Sequence, residues 1–145
     1  MNATMLEPDA AARLRRVIER IKGDPRRLDM HRWGYKRGWL TFSAPECRTV
    51  ACIAGWTILD GLPARELRRA SGSTLKQILG ERRFDEGAFF KAQKILGLDS
   101  ETARRLFYLP FWPSLYLLRY KQAQNAKTRT DVTVERIEHF IETLE

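Results

Sequence analysis

The chain has 145 residues, 43% hydrophobic and 30% charged, with a formal net charge of +8. That is the size of one ordinary domain, able to bury a core without disulfide or metal staples, and the balance excludes a disordered chain. The charge favours an acidic counterpart (nucleic acid, an acidic protein or a membrane surface) without choosing among them.

Residues 1–7 hold no basic stretch followed by an apolar core, so no secretory signal is predicted and the segment reads as a loose N-terminus. The first helix is predicted over 8–23, opened by Pro8 and Asp9 and closed by Gly23, Asp24 and Pro25. Leu14, Val17, Ile18 and Ile21 recur at helical spacing on its inner face. Arg13, Arg16 and Arg20 take the outer face, and Arg15 and Glu19 form an i, i+4 pair. Residues 24–46 read as loop, with a short β-hairpin pairing 33–35 with 39–42 across Lys36, Arg37 and Gly38.

A second helix is predicted over 50–59, with Thr49 as N-cap and Gly61 as the stop. No charge falls between Arg48 and Asp60. A helix apolar on every side is a buried helix. Ala51, Ala54, Gly55 and Ile58 share a small face that lets a neighbouring backbone come close, while Cys52, Trp56 and Leu59 share another. Pro63 starts a short helix through residue 70, and 74–79 form one more turn ended by Gly80. The stretch 60–84 belongs to the same single domain of 145 residues.

The next helix is predicted over 85–96, ended by Gly97; Asp99 caps another over 100–109, stopped by Pro110. Pro113 opens a helix ending near residue 126. Thr133 caps a last one over 134–144, with Val134, Ile137, Ile141 and Leu144 inward and Glu135, Glu138 and Glu142 outward. The fold class is all-α: a single-domain multi-helix bundle with a short β-hairpin near residues 33–42. The runs 50–59 and 106–118 fall short of the ~20 residues that cross a bilayer, so no membrane span and a cytoplasmic location are expected.

Cys47 and Cys52 are separated by four residues, a zinc-ligand spacing that His31 and His139 would have to complete. A disulfide between them, or a thiolate at Cys47 beside Arg48, are further readings. The compartment and the apolar surroundings favour buried structural thiols and no cofactor. The segment CRTVACIAGW, residues 47–56, resembles a motif of short, uncharacterised bacterial and phage proteins: Cys-Gly-Thr-x-x-Cys-Ile-Ala-Gly, followed by Leu-Gly-Leu and Leu-Phe. The later pieces correspond to Leu96, Gly97 and Leu98, and to Leu106 and Phe107. Leu28, Asp29 and Met30 upstream and residues 137–141 fit the same layout, so the likeness covers 28–145. Arg48 stands where the motif has glycine, which bears on a tight turn there, and against that layout the stretch 60–84 looks like an insertion. The resemblance implies no activity and no catalytic residue.

Between residues 13 and 37 lie ten Lys or Arg against three acids. Arg13, Arg16, Arg20, Arg26, Arg27, Arg32, Lys36 and Arg37 are the candidates for tracking phosphates, with Trp33, Tyr35 and Trp39 interleaved for base stacking. The alternative is a solvated face over core aromatics, neutralised by the acidic residues of 131–145. Residues 92–106 suggest a helix-turn-helix in which Arg104 and Arg105 reach DNA, with Gln93 where a small residue is usual. The segment LFYLPFWPSLYLLRY, residues 106–120, holds six aromatics. Phe107, Phe111 and Trp112 are expected to plug the core; the alternative is an exposed patch for a partner or membrane surface, with Tyr116 and Tyr120 at its wet edge.

No paired carboxylates, phosphate-cradling loop or nucleophile elbow is present in the sequence, so no enzyme is expected. The composite expectation is a binding module with an unidentified protein partner or a second copy of itself. Nucleic-acid binding is the alternative, and a thiol or metal site the second alternative.

Overall fold

A computed structural model describes residues 6–38, 48–80 and 87–144. Helix α1 spans Pro8–Gly23, strand β1 Gly34–Lys36, strand β2 Thr49–Ala51, and helix α2 Ile53–Leu59. Then come α3 (Ala64–Arg69), α4 (Gly72–Leu79), α5 (Gly87–Leu96), α6 (Ser100–Phe107), α7 (Ser114–Gln122) and α8 (Ala126–Leu144). Single 3-10 turns, Pro25–Arg27 and Leu109–Phe111, follow α1 and precede α7. The architecture is an all-α bundle with a small two-stranded antiparallel sheet.

Helix α1 has proline in its first turn and Arg20 and Lys22 in its last, as the helix dipole favours. It buries Leu14, Val17, Ile18 and Ile21 against α8 and α2. Leu6, within the segment read as loose, is buried, and its N–H donates to the Leu144 carbonyl at 2.8 Å. Residues 1–5 of that segment lie outside the described residues.

The strand that β1 pairs with is β2, in the register Gly34 with Ala51, Tyr35 with Val50 and Lys36 with Thr49. The partner strand expected at 39–42 lies outside the described residues. Residues 49–51 are therefore extended, not the first turn of a helix. Val50 and Thr49 are β-branched and fully buried, and the Ala51 carbonyl takes the Asp29 N–H at 3.1 Å. Arg48, just before the strand, has φ 57°, the one non-glycine residue in the left-handed region among those described. An L side chain bears ~1 kcal/mol of strain there that glycine avoids.

Helix α2 thus begins at Ile53, three residues later than the pattern predicts, and its N-cap is Cys52 instead of Thr49. All seven of its residues are buried. Around it pack α5, α1, α4 and α6, and each large side chain it encloses contributes about 1.5–3 kcal/mol of burial. The backbone admitted by its small face is that of Trp33: a Cβ on Gly55 would lie 1.8 Å from the Trp33 carbonyl oxygen. Trp56 donates its Nε1–H to the Arg27 carbonyl at 2.8 Å.

Residues 60–80 join the same core through Leu67, Leu75 and Leu79. Ser71, just past the end of α3, caps α4 by accepting the Thr74 N–H at 3.1 Å. The start of α5 at Gly87 leaves the predicted positions 85–86 outside the described residues. Gly97 takes a left-handed φ and Asp99 accepts the Thr102 N–H at 2.7 Å, so α6 begins where predicted. It stops at Phe107, two residues early, because Tyr108 turns extended ahead of the 3-10 turn holding Pro110.

The last helix differs most. It starts at Ala126, where the Asn125 side chain accepts the Thr128 N–H at 2.8 Å. Thr133 caps nothing; its hydroxyl donates to the Arg129 carbonyl one turn back at 2.8 Å, satisfying itself inside the helix. The earlier start also ends α7 at Gln122 instead of near 126. Val134, Ile137 and Ile141 face inward, and Glu135, Glu138 and Glu142 face solvent.

Candidate functional site

The basic segment does not converge on one open face. Arg16 grips Asp60 with Nε at 2.9 Å and Nη2 at 2.8 Å, and Arg13 lies 3.3 Å from the same carboxylate. Arg13 also donates to the Thr57 carbonyl at 3.3 Å, and Arg20 to those of Leu59 at 3.5 Å and Leu62 at 2.8 Å. These carbonyls belong to the last turn of α2 and the residues after it, where a helix leaves acceptors unfilled and a cation is favoured. Burial pushes the Asp60 carboxyl up, but the Arg16 hydrogen bond and the charges of Arg16, Arg13 and Arg20 outweigh it and hold the group below its ordinary value. Arg20 also lies 5.1 Å over the Trp56 ring.

Further along, Arg26 pairs with Asp24 at 2.7 Å and Arg27 donates to the Arg20 carbonyl at 2.9 Å. Arg32 sits 4.9 Å over the Tyr35 ring, and Lys36 donates to the Leu67 carbonyl. Arg37 exchanges hydrogen bonds with Arg48 along the edge of the sheet. Of the interleaved aromatics, Trp33 is half-buried and meets Tyr108 edge-on at 5.7 Å; Trp39 lies outside the described residues. The acidic face of α8 meets α1 elsewhere: Glu138 and Glu142 share a groove with Arg15, Glu19 and Lys22.

Cys52 is 2% exposed. Its sulfur accepts the Gly55 N–H at 3.4 Å and lies 3.9 Å from the Trp33 carbonyl, as a thiol capping the helix. Burial pushes its pKa up to about 12, so it carries neither thiolate nucleophilicity nor a metal-ready charge at neutral pH. Cys47 lies outside the described residues, and among those described no three His, Cys, Asp or Glu side chains cluster as a metal site.

At the α5–α6 junction Gln93 reaches across the turn, donating to the Leu98 carbonyl at 3.1 Å and to Ser100 at 3.3 Å. Arg104 and Arg105 are exposed on α6, and Arg105 pairs with Glu101 at 2.7 Å. The Arg105 carbonyl accepts from Arg136 at 2.8 Å. Arg136 is a buried guanidinium whose pKa burial lowers to about 10.

The aromatic segment divides. Phe107 and Trp112 are buried, and Trp112 donates its Nε1–H to the Leu106 carbonyl at 2.9 Å. Phe111, expected in the core, is 58% exposed: the 3-10 turn that seats Trp112 leaves its neighbour outside. Leu115 and Leu118, three residues apart on α7, are 63% and 53% exposed, and with Phe111 from the preceding 3-10 turn they make an exposed apolar stripe. Phe90 is likewise exposed, and Phe89 and Tyr108 connect it to Phe111 by successive ring contacts. Another side of α7 is occupied, where Tyr120 packs edge-on against Trp112 and Tyr116 against His139, while Arg119, one turn beyond Leu115, pairs with Glu135 beside the stripe. Tyr116 is half-buried and Tyr120 buried, so neither edges the stripe as the patch reading expected. The spacing of 111, 115 and 118 is visible in the sequence, but not its outward direction.

Among the described residues no helix is long and apolar enough to cross a membrane. No family model, curated protein or solved structure matches the chain.

Proposed function

We propose that the chain is a non-enzymatic docking module of the cytoplasm, and that the outer face of α7 receives an acidic amphipathic helix of a protein partner. The observation that carries this is the stripe of Phe111, Leu115 and Leu118, each more than half exposed. Single exposed leucines are ordinary, but Leu115 and Leu118 one turn apart on α7, with Phe111 in the turn before it, form an apolar patch that an amphipathic helix covers. Charge selects the occupant. Lys121 is exposed one turn beyond Leu118 on the same face, and the chain carries +8. A second copy would oppose like charge to like; an acidic polar face is attracted. The nucleic-acid reading has less support, because the cations of 13–27 are largely engaged with carboxylates and carbonyls of the chain itself.

The test titrates the full chain with synthetic amphipathic peptides whose polar faces are acidic, neutral or basic. The acidic peptide binds best, more weakly as salt rises, and at least about tenfold more weakly to the Leu115→Ser, Leu118→Ser double variant of unchanged Tm. Equal binding by the variant, or preference for the basic peptide, contradicts the proposal. A concentration-dependent dimer abolished by the same substitutions would put a second copy on this face instead, and binding only to anionic vesicles would put a membrane there.

A further inference from the structure

A cavity of about 450 Å³ lies between the Pro25–Arg27 turn, the sheet and the α7–α8 junction, away from the α7 stripe. Its lining mixes two kinds of chemistry. Leu28, Val50 and the rings of Tyr35 and Tyr120 give apolar surface. Arg37 and Arg129, with Arg26 already paired to Asp24, give positive charge, and among the described lining residues Asp29 brings a carboxylate. That carboxylate is turned to its own loop, where it accepts the His31 N–H at 2.9 Å.

Arg129 is the telling residue. It stands in the first turn of the 19-residue α8, where the dipole already favours negative charge and a cation is disfavoured. Its neighbour Lys127 pairs with Asp131, but Arg129 makes no ion pair among the described residues. Asn125 caps only the Thr128 N–H, and Ala126, the first residue of the helix, lines the cavity. Positive potential from the guanidinium and from the helix terminus therefore adds at one end of a concave, half-apolar space. The volume falls in the range of roughly 300–1,000 Å³ usual for small-molecule sites.

We infer that this cavity binds a phosphomonoester carried on a nucleoside: the phosphate against Arg129 and the start of α8, with Arg37 beside it, and the base on the apolar surface of Leu28 and Tyr35. A free mononucleotide and the 5′-end of a nucleic-acid strand present the same chemistry. An inorganic anion would use the cations alone and leave the apolar lining uncovered, so the two together favour the nucleoside phosphate.

Calorimetric titration of the full chain tests this with inorganic phosphate, a nucleoside 5′-monophosphate, the bare nucleoside, and oligonucleotides with and without a 5′-phosphate. The monophosphate binds saturably, at least about tenfold more tightly than the nucleoside or phosphate alone. Arg129→Gln weakens it about tenfold without changing Tm, and Arg26→Gln, at an exposed position, weakens it less. Leu115→Ser with Leu118→Ser leaves it unchanged, which keeps this site separate from the α7 surface. A phosphorylated oligonucleotide that outbinds the monophosphate assigns the strand end; equal affinities assign the free nucleotide. No saturation by the monophosphate or the phosphorylated strand at millimolar concentration, undiminished binding by Arg129→Gln, or equal binding of the oligonucleotide lacking its phosphate overturns the inference.

Discussion

Helix α2 and helix α7 look alike as text, two short apolar segments with aromatic rings, yet the fold treats them oppositely. Every residue of α2 is enclosed, and the four helices around it leave it no surface. Helix α7 rests chiefly on α8 and the preceding turn, and three large apolar side chains from it and that turn stay in water. Apolar composition therefore says that a segment must be covered, not by what. Where the chain supplies the cover the segment is core; where it does not, the segment is free to receive a partner.

The largest effect should come from closing the approach that makes α2 central. Gly55→Ala places a methyl group 1.8 Å from the Trp33 carbonyl oxygen, a backbone atom that cannot step aside. We expect a loss of more than ~3 kcal/mol, read by chemical denaturation. A tolerated alanine would mean that α2 is not gripped as described.

The Cys52 thiol should resist labelling in the native protein and react only on unfolding. Its folded pKa is raised by burial from the ordinary 9.0 to about 12. A raised acid stabilises the fold fully below the unfolded value and loses that contribution as pH climbs from about 9 toward 12. Denaturation midpoints should fall across that alkaline window, and the Cys52→Ala variant should show a smaller fall.

Asp60 works in the opposite direction, with a carboxyl held below its ordinary value. Its contribution is present above the unfolded pKa and vanishes as pH falls through the folded one, that is, below about pH 4. Asp60→Asn should cost ~1 kcal/mol at neutral pH and flatten the acid limb of the stability profile. An unchanged acid limb would show that the arginines of α1 hold α2 through the carbonyls alone.

How much of this the sequence disclosed depended on whether the signal was local. The inner stripe of α1 and the Gly97–Asp99 junction are local, and both stand as the pattern predicts. The strand Thr49–Ala51 was hidden because its partner lies some fifteen positions upstream and its residues are buried on both faces. The first two turns of α8 were hidden by their polar character, although Thr130, Val132 and Thr133 are buried there. The cavity is built from residues within 25–37, Val50, Tyr120 and residues within 126–129, which nothing in the sequence joins. The outward turn of Phe111 depends on the indole of its neighbour finding the Leu106 carbonyl.

The smallest stability change should mark the most functional position. Leu118→Ser removes an apolar side chain already in water and should shift stability by less than ~0.5 kcal/mol. A large loss would show that α7 is covered in solution and is not a free surface.

The most direct measurement is a residue-resolved NMR titration of the full chain with the acidic amphipathic peptide. The account predicts shift changes centred on Phe90, Phe111, Leu115 and Leu118, with the amides of Ile53–Leu59 unmoved. Changes centred on the arginines of α1, with the α7 stripe silent, would contradict it.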